Sequence, residues 1–182
     1  VSASSQDSIA RSRGRMRLSD RHVGCGLHDG HAFPACAGCF AAGLRETSES
    51  RGRVVAFARS MIGKPFSHLG RTDAAVDCVG LVILAFRAGG LDIKDFSQYR
   101  HRDEELDYVE QARRHWTTSD DFCGNQGDAF LFKVKRYPSH FGIATEDGTL
   151  IQASDKHGKV IETRCDERWA RRAVLRIEAN GQ

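Results

Sequence analysis

Apolar residues in the first half of the chain recur at the spacing of helices. Within residues 54–62 they return every three or four positions, which predicts a helix with one buried face. Residues 78–88 are apolar on almost every side and are followed by Gly89 and Gly90, so they predict a second helix that is buried and ends at these glycines. A third, more polar helix is predicted over residues 103–116.

The pattern changes in the last third of the chain, where short apolar runs are separated by turn-forming residues. Five strands are predicted there, at residues 129–134, 140–145, 149–154, 159–164 and 173–177. Helices followed by hairpin-linked strands indicate an α+β fold, in which the N-terminal helices pack on a five-stranded antiparallel sheet.

Composition narrows the class of protein. The chain has 182 residues, of which 40% are hydrophobic, and this suits one domain with an appendage. Its apolar runs are shorter than the ~18 residues that a membrane span needs. The net charge of +3 is too small to indicate nucleic-acid binding. We therefore expect no membrane span and no nucleic-acid partner.

The N-terminal part of the chain differs from the rest. Residues 1–20 are rich in Ser and Arg and lack the apolar stretch of a secretory signal peptide, so export by that route is not expected. Their arginines alternate without an apolar stripe, which is typical of a segment that cannot fold alone. We expect residues 1–50 to form an arm that a partner protein orders, with a solvated tail as the alternative, and residues 51–182 to form the folded domain.

Cys78 lies between a polar loop and the buried helix. Asp77 can cap this helix by accepting a hydrogen bond from a backbone amide of the first turn. The positive end of the helix dipole favours thiolate over thiol there, and the free backbone amides can stabilise an oxyanion. The position predicts a nucleophile, and a small buried core residue is the alternative interpretation.

Whether a base can reach Cys78 depends on the hairpin between the predicted strands at residues 140–145 and 149–154. A two-residue loop would place His140 and Gln152 on opposite faces of the sheet. A three-residue loop, with Gly148 in the left-handed conformation, pairs Gln152 with Gly142 and puts His140 diagonally opposite on the same face. That register gives His140 as base and Gln152 as the residue that orients its imidazole. The alternatives are a surface histidine and an exposed strand glutamine.

Five blocks, in order, carry a resemblance to a known family: GKPF at residues 63–66, DCVGLV at 77–82, GDAFLF at 127–132, HFGIA at 140–144 and LIQAS at 150–154. Over about residues 54–177 the chain resembles the NlpC/p60 cysteine peptidases. With its ending DERWARR at residues 166–172, it is similar more narrowly to the cell-wall peptidases encoded among tail genes of phages and gene transfer agents.

The resemblance implies a papain-like core and hydrolysis of an amide in the peptidoglycan stem peptide, often between D-glutamate and diaminopimelate, without a cofactor for catalysis. By position it makes Cys78 the nucleophile, His140 the base and Gln152 the third polar residue, a place that the family fills with His, Asn or Gln. We assign Asp77 and His68 to substrate binding, and a simple loop histidine is the alternative for His68.

The narrower resemblance implies a biological setting. We expect a thiol hydrolase at the tail tip of a phage or phage-like particle, made in the bacterial cytoplasm, with other tail or baseplate proteins as partners. The alternative is a structural tail-tip or hub component that keeps the peptidase fold with little or no catalytic role. A housekeeping cell-wall hydrolase is disfavoured by the missing export signal.

A Cys/His-rich strip precedes the domain and has no place in the family pattern. Cys25 with His28, and Cys36 with Cys39, form two close ligand pairs, which is the spacing of a structural zinc site. An iron–sulfur cluster is a second possibility, and a loop ordered by a partner without metal is a third. Two nearby histidines are alternative ligands: His22 and His31.

Overall fold

A computed structural model describes residues 45–96, 108–122, 124–134 and 136–179, with side chains from residue 49 onward. Of the predicted N-terminal arm, residues 1–44 lie outside these ranges. The described residues place helices α1 at Arg45–Ser60, α2 at Cys78–Ala88, α3 at Tyr108–His115 and α4 at Glu167–Ala170. The strands are β1 at Thr118–Ser119, β2 at Ala129–Lys133, β3 at Pro138–Ala144, β4 at Thr149–Ser154, β5 at Lys159–Arg164 and β6 at Ala173–Ile177.

The helices follow the predicted order, with differences at their ends. α1 begins at Arg45, so the predicted boundary between arm and domain at residue 51 falls inside this helix. α2 has the predicted bounds. α3 is described from Tyr108 onward, and the first residues of its predicted range lie outside the described part of the chain. α4 was not predicted; Asp166 caps it by accepting hydrogen bonds from the backbone amides of Arg168 and Trp169.

The strands form an antiparallel sheet in the order β1-β6-β2-β3-β4-β5. The five predicted strands are all present, and the α+β class is confirmed. β1 is a sixth strand that pairs Thr118 with Ile177 at the edge of the sheet. Its two residues are too few to show the alternation by which a strand is predicted from sequence.

The two faces of the sheet are packed differently. One face carries Leu131, Phe141, Ile143 and other apolar side chains into the main core, where they pack with the buried residues of α1 and α2. The opposite face carries a smaller apolar cluster around Phe130 and Phe132, against which Trp169 of α4 packs. Alternate residues of one strand therefore serve two separate apolar clusters, as the period of a β-strand requires.

A buried ion pair fixes α1 to the sheet. The Arg51 guanidinium lies 2.5 Å from the Asp128 carboxylate, which is fully buried at the start of β2. Asp128 also accepts hydrogen bonds from the backbone amides of Asn125 and Ala179, both at 2.9 Å. Because four donors, including Arg176 at 3.5 Å, share this carboxylate, its charge is compensated in the core.

Candidate active site

The start of α2 is held by the Asp77 carboxylate. Its Oδ1 accepts a hydrogen bond from the Gly80 amide at 2.8 Å, which confirms Asp77 as the helix cap. Its Oδ2 accepts from the Leu69 amide at 2.8 Å, and Arg71 donates to Oδ1 at 2.8 Å. Both oxygens thus bind groups of the chain itself and fix the place of Cys78; a contact of Asp77 with substrate stays a prediction.

The loop before α2 packs backbone against backbone on the first turn of the helix. A Cβ atom added at Gly80 would lie 2.0 Å from the carbonyl oxygen of Gly70. Leu69, just before it, has a φ of 57°, a left-handed conformation that is uncommon for a non-glycine residue. The hydrogen bond from its amide to Asp77 holds it there. Loop and helix start therefore form one closely packed unit next to the thiol.

The thiol of Cys78, the first residue of α2, is kept protonated. Burial, and then the negative charge of Asp77, raise its pKa to about 12. The nearby backbone N–H groups of Phe141, Val79 and Cys78 itself favour the thiolate and oppose this rise without reversing it. Desolvation at this position thus opposes the predicted preference of the helix start for thiolate.

The hairpin between β3 and β4 has the three-residue loop that was one of the two predicted alternatives. Ile143 pairs with Ile151, the Thr145 amide donates to the Thr149 carbonyl at 3.0 Å, and Gly148 has a φ of 70°. Since side chains alternate along a strand, this register places His140 of β3 and Gln152 of β4 on one face of the sheet. The imidazole Nε2 of His140 lies 2.7 Å from Oε1 of Gln152.

The direction of the Gln152 amide determines which ring nitrogen of His140 carries hydrogen. Nε2 of Gln152 donates to the hydroxyl oxygen of Thr163 on β5 at 2.7 Å, so Oε1 faces the imidazole. Oε1 can only accept, which means that Nε2 of His140 bears the hydrogen. The other ring nitrogen, Nδ1, then has a free electron pair and can act as a base.

The indole of Trp169 lies beside the imidazole. The ring of Trp169 lies 6.0 Å from that of His140, and it also meets Phe132 edge to face at 4.9 Å. Burial lowers the pKa of His140 below its usual 6.5, and the hydrogen bond to Gln152 opposes that change. His140 is consequently neutral at neutral pH, in the state that a base requires.

Cys78 and His140 come from elements that pack on each other. Cys78 packs against the main core, which includes Phe141 of β3, and the backbone N–H of Phe141 is one of the groups that lower the pKa of the thiol. The thiol therefore lies near the residue that directly follows His140 in the chain. A neutral thiol, a neutral imidazole and the first amides of a helix together are suited to nucleophilic attack on a carbonyl carbon.

The remaining predicted site residues fall in two groups. His68 is partly buried in the loop between α1 and α2, and its role in substrate binding stays a prediction. The proposed metal ligands Cys25, His28, Cys36 and Cys39 lie outside the described residues. Within the part of the chain that the structure describes, His, Cys, Asp and Glu side chains form no group of three or more that suits a metal ion.

No helix among the described residues is long and apolar enough to cross a membrane.

Sequence reasoning missed Thr163 and Trp169. Thr163 could have been found by extending the predicted sheet, since Gln152 pairs with Ile161 on β5 and Thr163 lies two residues further on the same face. Trp169 comes from α4, whose four residues give no periodic pattern. Its approach to His140 depends on tertiary packing.

Comparison with known proteins agrees with this geometry. The model of the NlpC/P60 family matches residues 63–178. No curated protein sequence matches the chain.

Solved structures share the fold. The peptidoglycan hydrolase RipB from Mycobacterium tuberculosis is 20% identical with a TM-score of 0.56, and the alignment covers 88% of this chain and 78% of RipB. The P60 domain of an antigen from M. avium subspecies paratuberculosis is 18% identical with a TM-score of 0.53, covering 72% of this chain and 95% of that domain. The NlpC/p60 domain of the peptidoglycan hydrolase SagA is 19% identical with a TM-score of 0.50, covering 70% and 97%.

Proposed function

Because the chain belongs to the NlpC/P60 family of cysteine peptidases that act as cell-wall hydrolases, we propose that it cleaves an amide bond in the peptidoglycan stem peptide through Cys78, His140 and Gln152. One observation carries this proposal. The Cys78 thiol at the start of α2 lies near the backbone of Phe141, and His140, the residue before Phe141, lies with its Nε2 2.7 Å from Oε1 of Gln152. This arrangement supports Cys78 as nucleophile, His140 as base and Gln152 as the residue that orients the base.

The residues act in sequence. Nδ1 of His140 takes the proton of the Cys78 thiol as the sulfur attacks the carbonyl carbon of the scissile amide. The backbone amides at the start of α2, which have no helical acceptor, donate to the developing oxyanion. The imidazolium then gives its proton to the leaving amine, and the C–N bond breaks to leave a thioester. His140 next removes a proton from water, and attack of that water on the thioester releases the acid and restores the thiol.

The raised pKa of Cys78 fits this sequence. In the free protein both partners are neutral, so the proton moves only when substrate excludes water and brings an electrophilic carbon to the sulfur. Gln152 accepts the Nε2 hydrogen throughout and keeps the ring in place while its charge changes.

Release of peptide fragments from purified peptidoglycan tests the proposal. The wild type should release fragments whose masses identify the cleaved bond, and Cys78→Ala should release none. Cys165→Ala is the matched control, since Cys165 is the other free cysteine of the described residues and lies in the smaller apolar cluster. Equal release by wild type and Cys78→Ala, or no release by the wild type, would refute the assignment.

We further propose that the enzyme acts at the tail tip of a phage or phage-like particle, among other tail proteins. The support is the similarity of residues 166–172 to the tail-encoded peptidases. Mass spectrometry of purified particles should find the chain, and particles carrying Cys78→Ala should adsorb normally and deliver DNA poorly. Normal delivery by those particles would favour the alternative, a structural hub that works by assembly. Absence from the particles would exclude both settings.

For the Cys/His strip we propose one structural zinc ion, held by Cys25, His28, Cys36 and Cys39. The support is the spacing of the two ligand pairs. Elemental analysis of protein purified without added metal should find one zinc per chain, and the Cys36→Ser, Cys39→Ser variant should lose it. A chelator should leave hydrolysis nearly unchanged, because catalysis uses no cofactor. Iron with sulfide would replace the zinc assignment by a cluster, and no metal at all would refute it.

A further inference from the structure

A glutamine can hold a histidine in a catalytic site only if its amide keeps one orientation. The two ends of the amide have nearly the same shape, but one end accepts hydrogen bonds and the other donates them. When His140 has taken the proton of Cys78, both of its ring nitrogens carry hydrogen. Nε2–H then needs an acceptor, and within the amide of Gln152 only Oε1 can serve. The NH2 end must therefore find its acceptor elsewhere.

The side chain of Thr163 supplies that acceptor. On β5, Ile161 pairs with Gln152 and Thr163 pairs with Leu150, so Thr163 is the diagonal neighbour of Gln152 on the same face. Nε2 of Gln152 lies 2.7 Å from its hydroxyl oxygen. Gln152 is only 4% exposed, which leaves little access for water to replace this bond.

We propose that Thr163 is a positioning residue that holds the amide of Gln152 in the orientation required by the protonated form of His140. The proposal rests on the proposed function, because it assumes that His140 receives the proton of Cys78. It adds Thr163 to the proposed set of Cys78, His140 and Gln152. The Thr163 hydroxyl on β5 would orient the Gln152 amide on β4, which in turn orients the His140 imidazole on β3.

Removal of the hydroxyl should change the preferred orientation of the amide. With valine at position 163, the NH2 end would be a buried donor without an acceptor in the catalytic orientation. A flipped amide would instead donate one N–H to Nε2 of His140 and leave its carbonyl, in place of that N–H, unpaired, which is the less costly defect. The hydrogen of the neutral imidazole would then move to Nδ1, and Nδ1 could no longer accept the proton of Cys78.

Two variants separate the hydroxyl from the shape of the side chain. Thr163→Val keeps the shape and removes the hydroxyl, and it should lower kcat about tenfold with little change in KM. Thr163→Ser keeps the hydroxyl and should stay within about twofold of the wild type. Equal activity of the valine variant and the wild type would overturn the proposal.

The same substitution made in a Gln152→Glu protein distinguishes an effect on the orientation of the amide from an effect on packing. Gln152→Glu replaces the amide by a carboxylate, both of whose oxygens accept, so no orientation needs to be held. In the Gln152→Glu protein, Thr163→Val should lower kcat by less than about threefold. If valine costs the same factor in both backgrounds, Thr163 supports the fold only and the proposal is wrong.

The tautomer of His140 gives a readout that does not need activity. Nitrogen-15 NMR of the ring should show hydrogen on Nε2 in the wild type and in Thr163→Ser, and a shift of hydrogen toward Nδ1 in Thr163→Val. An unchanged tautomer in the valine variant would overturn the role of Thr163 even in an active enzyme. Wild-type protein without hydrolysis, but with the expected tautomer shift, would instead refute the proposed function and leave the role of Thr163 standing.

Discussion

The helix-borne and strand-borne halves of the site are fixed in different ways. Cys78 is placed by close backbone packing, in which Gly80 meets Gly70 and Asp77 binds three donors of its own chain. His140 and Gln152 are placed by the register of a hairpin and by side-chain hydrogen bonds. Adding side-chain volume near Cys78 should therefore lower turnover through the helix-borne half. In the strand-borne half of His140 and Gln152, turnover should fall when a hydrogen-bond donor or acceptor is removed.

The largest effect should come from removing either reacting group. Cys78→Ala and His140→Ala should each lower turnover by at least about a thousandfold, because neither half can transfer the proton alone. The double variant should be no slower than the worse single variant, since the two groups act as a unit. Single-turnover and steady-state release of peptidoglycan fragments would measure this. Losses that multiply would show two independent functions and contradict the assignment.

A smaller loss should follow from adding one methyl group to the helix-borne half. Gly80→Ala should lower turnover about a hundredfold, because its Cβ would collide with the Gly70 carbonyl and displace the helix start that carries Cys78. It should also lower the free energy of unfolding by roughly 1–3 kcal/mol.

Gly52→Ala is the matched control for that variant. A Cβ at Gly52, in the middle of α1, would have no atom within 4 Å. Alanine there should raise the free energy of unfolding by up to about 1 kcal/mol and leave turnover unchanged. Thermal unfolding and kinetics of the two variants together would test the steric argument. An active, stable Gly80→Ala protein would show that the loop can yield.

Removing the amide of Gln152 should lower turnover less than Gly80→Ala does. Gln152→Ala should lower kcat about tenfold, because the imidazole loses its orienting partner but keeps its place between Trp169 and β3. KM should change little. A raised KM with normal kcat would instead assign Gln152 to substrate binding, and circular dichroism would exclude a change in the sheet.

The smallest effect should be that of pH near neutrality. Since burial lowers the pKa of His140 below 6.5, protonation should remove the base only as the pH falls below that value. The pKa of the Cys78 thiol, about 12, lies far above this range. The kcat/KM for fragment release should therefore vary less than about twofold between pH 7 and 9 and decline on the acid side. An acid limb with a midpoint above 7 would contradict a neutral, buried His140.

The strand-borne half could largely be predicted from the sequence. A glycine at position 148 permits the left-handed residue of a three-residue hairpin loop, and that loop fixes which residues share a face. The sequence alone does not decide between the two loop lengths, because residues 146–148 are compatible with both. The start of α2 could also be predicted, since a capping Asp77 directly precedes an apolar run.

What the sequence could not predict depends on contacts between distant segments. The protonation state of Cys78 depends on burial by the main core and on the β3 backbone, and neither is visible in a helix start alone. The approach of Gly70 to Gly80 needs the path of an irregular loop. The position of Trp169 over His140 needs the packing of α4 on the sheet. Local patterns carry no information about such distances.

The raised pKa of Cys78 also has a consequence for the lifetime of the protein. Peroxide attacks the thiolate form of cysteine, and the sulfinic and sulfonic acids that follow would end its activity. Both free cysteines of the described residues, Cys78 and Cys165, have a pKa raised to about 12 and so expose almost no thiolate near neutral pH. Incubation with peroxide before assay should leave most activity intact. In the proposed mechanism the thiol becomes reactive only when substrate binds, so we expect the protein to resist oxidation until it acts.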